Sequence, residues 1–171
     1  NVLFLGRLTE GKGLDDLLDV LPKLWVNLRE KVSNDFVFNI AGDGPLLFRL
    51  IEKLDLLKDS AIPIAYCGFV DSNEILNSTS VVLSLQEDTN YPSRVVAESL
   101  LAGCNVIIRD TGDSRMFGEA PGIQYCNEAL RADQLSELIL NALDSARQNE
   151  NYSDLIRRNA ISRFNSAEYI D

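Results

Sequence analysis

An apolar run that ends in glycine and leads into two cations within one loop is a device for holding an anion. The first residues form such a run, Val2-Leu3-Phe4-Leu5-Gly6-Arg7-Leu8-Thr9-Glu10-Gly11-Lys12-Gly13, directly before an amphipathic stretch. Gly6 lets a ligand approach the backbone, Arg7 presents a planar fork of donors, and Lys12 adds a mobile point charge. The helix that follows contributes the positive end of its dipole. A strand-to-helix turn of this composition suits a phosphate. The same residues would also serve as an ordinary turn carrying two solvated cations.

Three further segments place chemistry after apolar runs. Ala41-Gly42-Asp43-Gly44-Pro45 is a glycine-rich turn, with Pro45 suited to the first turn of the next helix. It approaches the dinucleotide pattern G-x-G-x-x-G, but Leu47 fills the third glycine position and the turn follows the second apolar run, so the match is poor. Gly68-Phe69-Val70-Asp71 offers an aromatic ring and a backbone edge that could face a base; a plain turn with Phe69 partly buried is the alternative. The densest polar cluster runs from Ser84 through Gln86, Glu87, Asp88, Thr89 and Asn90 to Arg94, and Pro92 and Ser93 are helix-start residues. Such a start aims free N–H groups at an anion. Glu98, one turn in, can accept hydrogen bonds from vicinal sugar hydroxyls or stand as a solvated carboxylate.

The elements that must position these residues follow from periodicity. Short β-branched runs at Val2–Leu5, Phe36–Ala41, Ile62–Cys67, Val81–Leu85, Asn105–Arg109 and Gly122–Tyr125 predict six buried strands. Leu14, Leu17, Leu18, Leu21, Leu24 and Leu28 repeat at helical spacing, as do Leu46, Leu47, Leu50, Ile51, Leu54 and Leu57. Weaker helical segments cover Asn73–Asn77, Ser93–Ala102 and Ser114–Glu119; longer ones cover Ala132–Arg147 and Tyr152–Phe164. The alternation predicts an α/β fold, a Rossmann-like doubly wound parallel sheet of about six strands, with ligands bound outside the carboxyl ends of the strands. A single domain over residues 1–171 is expected.

Composition excludes several classes. The net charge of −10 opposes a nucleic-acid or anionic-membrane surface, so an anionic ligand must find a local cationic pocket. With no histidine, Ser-His-Asp hydrolysis and the usual zinc sites are excluded within this chain, and no metal site is expected. Cys67, Cys104 and Cys126 are far apart in apolar segments and read as buried thiols of a reducing compartment. No apolar run approaches the length of a transmembrane helix, and no signal peptide is seen. A cytoplasmic location is expected, with the full-length protein able to sit peripherally at a membrane.

Gly6-Arg7 with Lys12-Gly13, then Gly42-x-Gly44-Pro45, Gly68, Pro92-Ser93 through Glu98 to Gly103, and Val106-Ile107 occur in order. In that order and spacing they resemble the C-terminal, donor-binding domain of GT-B fold glycosyltransferases, in particular the retaining group 1, or family 4, enzymes. The resemblance spans nearly the whole chain. It implies a half-site for a nucleotide-diphosphate sugar, with UDP or GDP as the nucleotide and no further cofactor. Arg7 and Lys12 would then bind the diphosphate and aid the leaving group, beside Gly6 and Gly44. Phe69 and Val70 would face the base, the amides near Ser93, Arg94 and Val95 would cap the phosphate, and Glu98 would hold the ribose.

One departure stands out. The family usually has a second glutamate, separated by seven residues from the ribose-binding one, that contacts the donor sugar, and here Asn90 occupies that position. Either Asn90 takes the role, or Glu87 reaches in, or sugar recognition is lost. The expected function is hexosyl transfer, with retention, to a glycan or polysaccharide-type acceptor, the acceptor domain lying in an N-terminal half outside this chain and the fragment alone being inactive. A non-catalytic nucleotide-sugar binding or scaffold domain is the alternative. A dinucleotide-dependent oxidoreductase is disfavoured by Leu47.

Overall fold

Runs of four or five apolar residues are too short for a stable helix and, bounded by glycine or polar turns, they extend into strands. A computed structural model describes residues 1–164, and the last seven residues of the expected domain lie outside the described part. The strands are β1 (Val2–Leu5), β2 (Phe38–Ala41), β3 (Ile64–Gly68), β4 (Val81–Ser84), β5 (Asn105–Arg109) and β6 (Ile123–Cys126). Between and after them lie the helices α1 (Leu14–Leu28), α2 (Leu47–Leu57), α3 (Ser72–Leu76), α4 (Arg94–Ala102), α5 (Ala132–Gln148) and α6 (Tyr152–Phe164). All six strands are parallel, in the order β3-β2-β1-β4-β5-β6. The chain builds outward from β1 through β2 and β3, then returns to the other side of β1 to add β4. Loops leaving β1 and β4 therefore turn to opposite faces of the sheet and open a crevice between them.

Alternation along each strand divides the apolar residues between two cores. Val2, Phe4, Val81, Leu83 and Ile107 face α1 and α5, where the leucine repeat of α1 is buried along its whole length. Leu3, Val82, Val106 and Ile108 face the opposite core, built on Val96 and Leu100 of α4 and on Ile156 and Ala160 of α6. Leu24 and Leu28 are wholly enclosed, so truncating either to alanine costs about 2–5 kcal/mol, enough to threaten the fold of a domain this size.

Several expectations shift by a few residues for identifiable reasons. Phe36 lies before β2 instead of within it: its N–H donates to Ser33 in a turn, and its ring stacks on Trp25 and meets Phe38 edge-on. Strand β3 starts after Pro63, which has no N–H to give the ladder, although its carbonyl accepts from Phe38. Pro45 sits in the turn before α2, which starts at Leu47, so the proline is not a first-turn residue. The helix expected over Ser114–Glu119 is a 3₁₀ turn, Gly112–Phe117, closed by a reciprocal cap between Thr111 and Ser114. Cys104 and Cys126 are buried as expected. Cys67, on edge strand β3, is only half-buried.

Candidate functional site

The loops at the carboxyl ends of β1, β2 and β3 lock together through glycines. The Gly6 N–H donates to Ala41, and Gly42 donates to Gly68. A Cβ on Gly42 would lie 1.8 Å from the Gly6 carbonyl oxygen, and one on Gly44 would lie 2.5 Å from that of Leu8. Only a residue without a side chain lets these strand ends approach so closely. Leu8 in turn donates to Asp43 and accepts from Leu46. Gly6, Arg7, Gly44 and Phe69 thus sit along adjoining loops at one end of the sheet. Arg7 is exposed, and its side chain has no hydrogen-bond or ion-pair partner among the described residues. Phe69 is 88% exposed, so the expected aromatic surface is present and the alternative of a half-buried ring does not hold. Val70 packs against the core beneath it.

The second wall of the crevice is the segment that extends β4. Leu85 is buried, and the Gly13 Cα lies so close that a Cβ there would be 2.1 Å from the Leu85 carbonyl oxygen. The Glu87 N–H donates to the Gly11 carbonyl at 3.0 Å. These contacts set Lys12 against the end of β4, where its ammonium donates to the side-chain oxygen of Gln86. The Gln86 amide nitrogen donates to the Thr89 carbonyl at 2.6 Å, and the Gln86 carbonyl accepts from the Thr111 hydroxyl at 2.9 Å. Lys12 is therefore brought to Gln86 and Glu87 across the switch in strand order, although it lies over seventy residues from them in sequence.

Helix α4 begins next to this segment. Ser93 is its N-cap, accepting from the Val96 N–H, and Gly103 ends it in a left-handed turn. The first-turn amides of Arg94 and Val95 are thus presented at the helix's positive end. Glu98 is one turn in, its side chain 26% exposed and bound to the guanidinium of Arg94 at 2.7 Å; Arg94 itself is 90% exposed. The two donor-sugar candidates part company. Glu87 is exposed, whereas Asn90 is only 1% exposed and its amide donates to the hydroxyl and the carbonyl of Ser84. Its Oδ1 is enclosed with no hydrogen-bond partner among the described residues.

Residues that sequence reasoning passed over hold this frame. Arg109, at the end of β5, is 7% exposed, pairs with Asp16 in the first turn of α1 at 2.7 Å, and donates to the carbonyls of Glu128 and Leu85. It ties the start of α1 to the ends of β4 and β5. Farther along, Arg115 chelates Asp110 and lies over the ring of Tyr125, and its hydrogen bonds hold the Asp110 carboxyl below the usual carboxylate range. The signal for Arg109 was a charge ending an otherwise apolar strand. The signal for Gln86 was only its place in a polar cluster.

A parallel α/β sheet of order 3-2-1-4-5-6, with glycine-rich loops and cations at its switch point, defines a Rossmann-like domain. The chain belongs to the glycosyl transferases group 1 family, whose model matches residues 1–160. None of the curated proteins matches it. Among solved structures it is similar to Anabaena HepE in complex with UDP and glucose, at TM-score 0.71 and 17% identity, covering 95% of this chain and 44% of that one. It is also similar to the catalytic domain of cholesterol-α-glucosyltransferase from Helicobacter pylori, at TM-score 0.67 and 19% identity, covering 94% and 97% of the two chains. The C-terminal domain of the group 1 family protein LpcC from Francisella tularensis aligns at TM-score 0.69 and 17% identity, covering 99% and 86%. The fold is that of the C-terminal half of the GT-B architecture, and the chain spans less than half the length of HepE. No helix among the described residues is long and apolar enough to cross a membrane.

Proposed function

We propose that the chain is the donor-binding domain of a glycosyltransferase that moves a hexose from a nucleotide-diphosphate sugar, with retention, to a glycan or polysaccharide-type acceptor. The observation that carries this reading is the convergence of Lys12 with the extension of β4 at the switch point, one loop ahead of the capped N-terminus of α4. Breaking a glycosyl–phosphate bond leaves negative charge on the departing diphosphate. Cations already in place there stabilise the transition state more than the ground state. Arg7 and Lys12 supply them, the Ser93–Val95 amides add dipoles, Glu98 accepts from the ribose hydroxyls, and Phe69 with Val70 flanks the base. The UDP found with HepE favours uridine over guanosine.

Ribose binding by Glu98 requires Arg94 to share or release the carboxylate, which costs little because Arg94 is solvated. Donor-sugar contact falls to Glu87 in the present loop arrangement, and Asn90 reaches the sugar only if the loop opens. The enclosed Asn90 favours a second reading, a domain that binds the nucleotide without carrying out transfer.

Titration calorimetry on the 171-residue chain with UDP, UDP-glucose, GDP and NAD separates these readings. The donor reading expects binding of UDP or GDP and none of NAD, with tighter binding of the sugar nucleotide than of the bare diphosphate. Binding of NAD alone would overturn it. Equal affinity for UDP and UDP-glucose, unchanged in Asn90→Ala, would favour the binding-only reading.

A further inference from the structure

We propose that Gln86 is the positioning residue of Lys12, a neutral carboxamide that fixes the ammonium at the crevice mouth without cancelling its charge. This rests on the reading of Lys12 as a diphosphate ligand. The half-buried Gln86 lies two residues past the end of β4, and each of its carboxamide groups is engaged: Oε1 accepts from Lys12 and Nε2 donates to the Thr89 carbonyl. The reverse orientation would set an NH₂ group against an ammonium and an oxygen against a carbonyl, so the chemistry of the partners fixes which end faces Lys12. The Gln86 backbone is anchored from the other side by the Thr111 hydroxyl, and its neighbour Glu87 by Gly11. The carboxamide is therefore braced by its own loop at Thr89, on a backbone tied to the loops after β1 and β5, and in turn holds the long, flexible side chain of Lys12.

The residue type matters as much as its place. An ammonium has three donors, and Gln86 occupies one, leaving two for an arriving phosphate. Ordering the four-carbon stem before the ligand arrives removes an entropic cost from binding. A glutamate of the same shape would still bind Lys12, but it would lose the bond to Thr89, and its charge would neutralise the ammonium and repel the diphosphate. Glutamine gives the order without the repulsion.

The experiment is a double-mutant cycle read by UDP and uridine affinity on the whole chain. Gln86→Ala should weaken UDP binding about threefold to tenfold, the net contribution of one typical hydrogen bond, with uridine binding unchanged. Gln86→Glu, near-isosteric and so able to fold as the wild type does, should weaken UDP at least as much as Lys12→Ala does. In the Lys12→Ala background Gln86→Ala should cause no further loss, whereas Gln86→Glu still repels the diphosphate. A loss from Gln86→Ala that adds to that of Lys12→Ala, or that affects uridine and UDP alike, would show a general structural role and overturn the proposal. So would Gln86 variants that bind UDP as the wild type does while Lys12→Ala does not. If the wild type binds no nucleoside diphosphate, the donor reading itself falls and the proposal falls with it, a result distinct from the others.

Discussion

Arg7 and Lys12 carry the same charge in different settings, one solvated and unpaired among the described residues, the other held by Gln86. Both Arg7→Ala and Lys12→Ala should leave the fold intact and lower UDP affinity about tenfold or more, since a charge-assisted hydrogen bond is worth roughly 1.5–3 kcal/mol. Calorimetry showing wild-type affinity in both variants would remove them from the site. Glu98→Gln should weaken UDP more than its 2′- and 3′-deoxy analogues, because a carboxylate accepts two charge-assisted bonds from vicinal hydroxyls and an amide oxygen accepts weaker ones. Equal losses for all three nucleotides would make Glu98 a partner of Arg94 and nothing more.

At the scale of elements, the site depends on loops that fit only with glycine at particular positions. Gly13 has φ +76° and no room for a Cβ beside Leu85. Gly13→Ala should cost more than about 1 kcal/mol of stability and also weaken UDP binding, because the displaced backbone carries Lys12 with it. Urea unfolding together with a UDP titration checks both, and a stable variant with unchanged affinity would refute the coupling. The elements themselves were legible in the sequence: the leucine repeats of α1 and α2, the six apolar runs, and the Ser93 start of α4 all read directly from local pattern. Phe36 was misplaced because burial against Trp25 looks like strand hydrophobicity when only the sequence is seen. Arg7, Lys12 and Glu98 were singled out by residue type, spacing and resemblance. Gln86, Arg109 and the enclosure of Asn90 were not, since each depends on which strand lies beside which, and that order is a property of the folded sheet.

For the molecule as a whole, the two cores set a pH limit. Burial pushes the Cys104 and Cys126 thiols up from 9.0 to about 11, and it raises Cys67 and Tyr125 as well. In the unfolded chain these thiols ionise near their ordinary value, so above it the unfolded state sheds protons that the folded state retains. The stabilisation is complete below pH 9 and drains away as the pH rises through about 11. At pH 10 the loss is on the order of 1 kcal/mol for each of Cys104 and Cys126. Urea midpoints at pH 8 and pH 10 should differ accordingly, and by less in a variant carrying Cys104→Ala and Cys126→Ala. A midpoint unchanged between the two pH values would show that the thiols ionise freely in the folded protein.

The segment from Leu85 to Asp88 touches Gly11 and Gly13 on one side and Thr111 and Gly112 on the other, with carbonyl oxygens standing where glycine side chains would be. Three loops from three strands are thus cut to one another's outlines. A loop transplanted singly from a relative to alter donor preference would meet carbonyls shaped for its predecessor. Exchange of the three as one cassette removes those clashes, and because the first loop also abuts Gly42 and Gly44, the incoming one must keep its backbone path past the loop after β2.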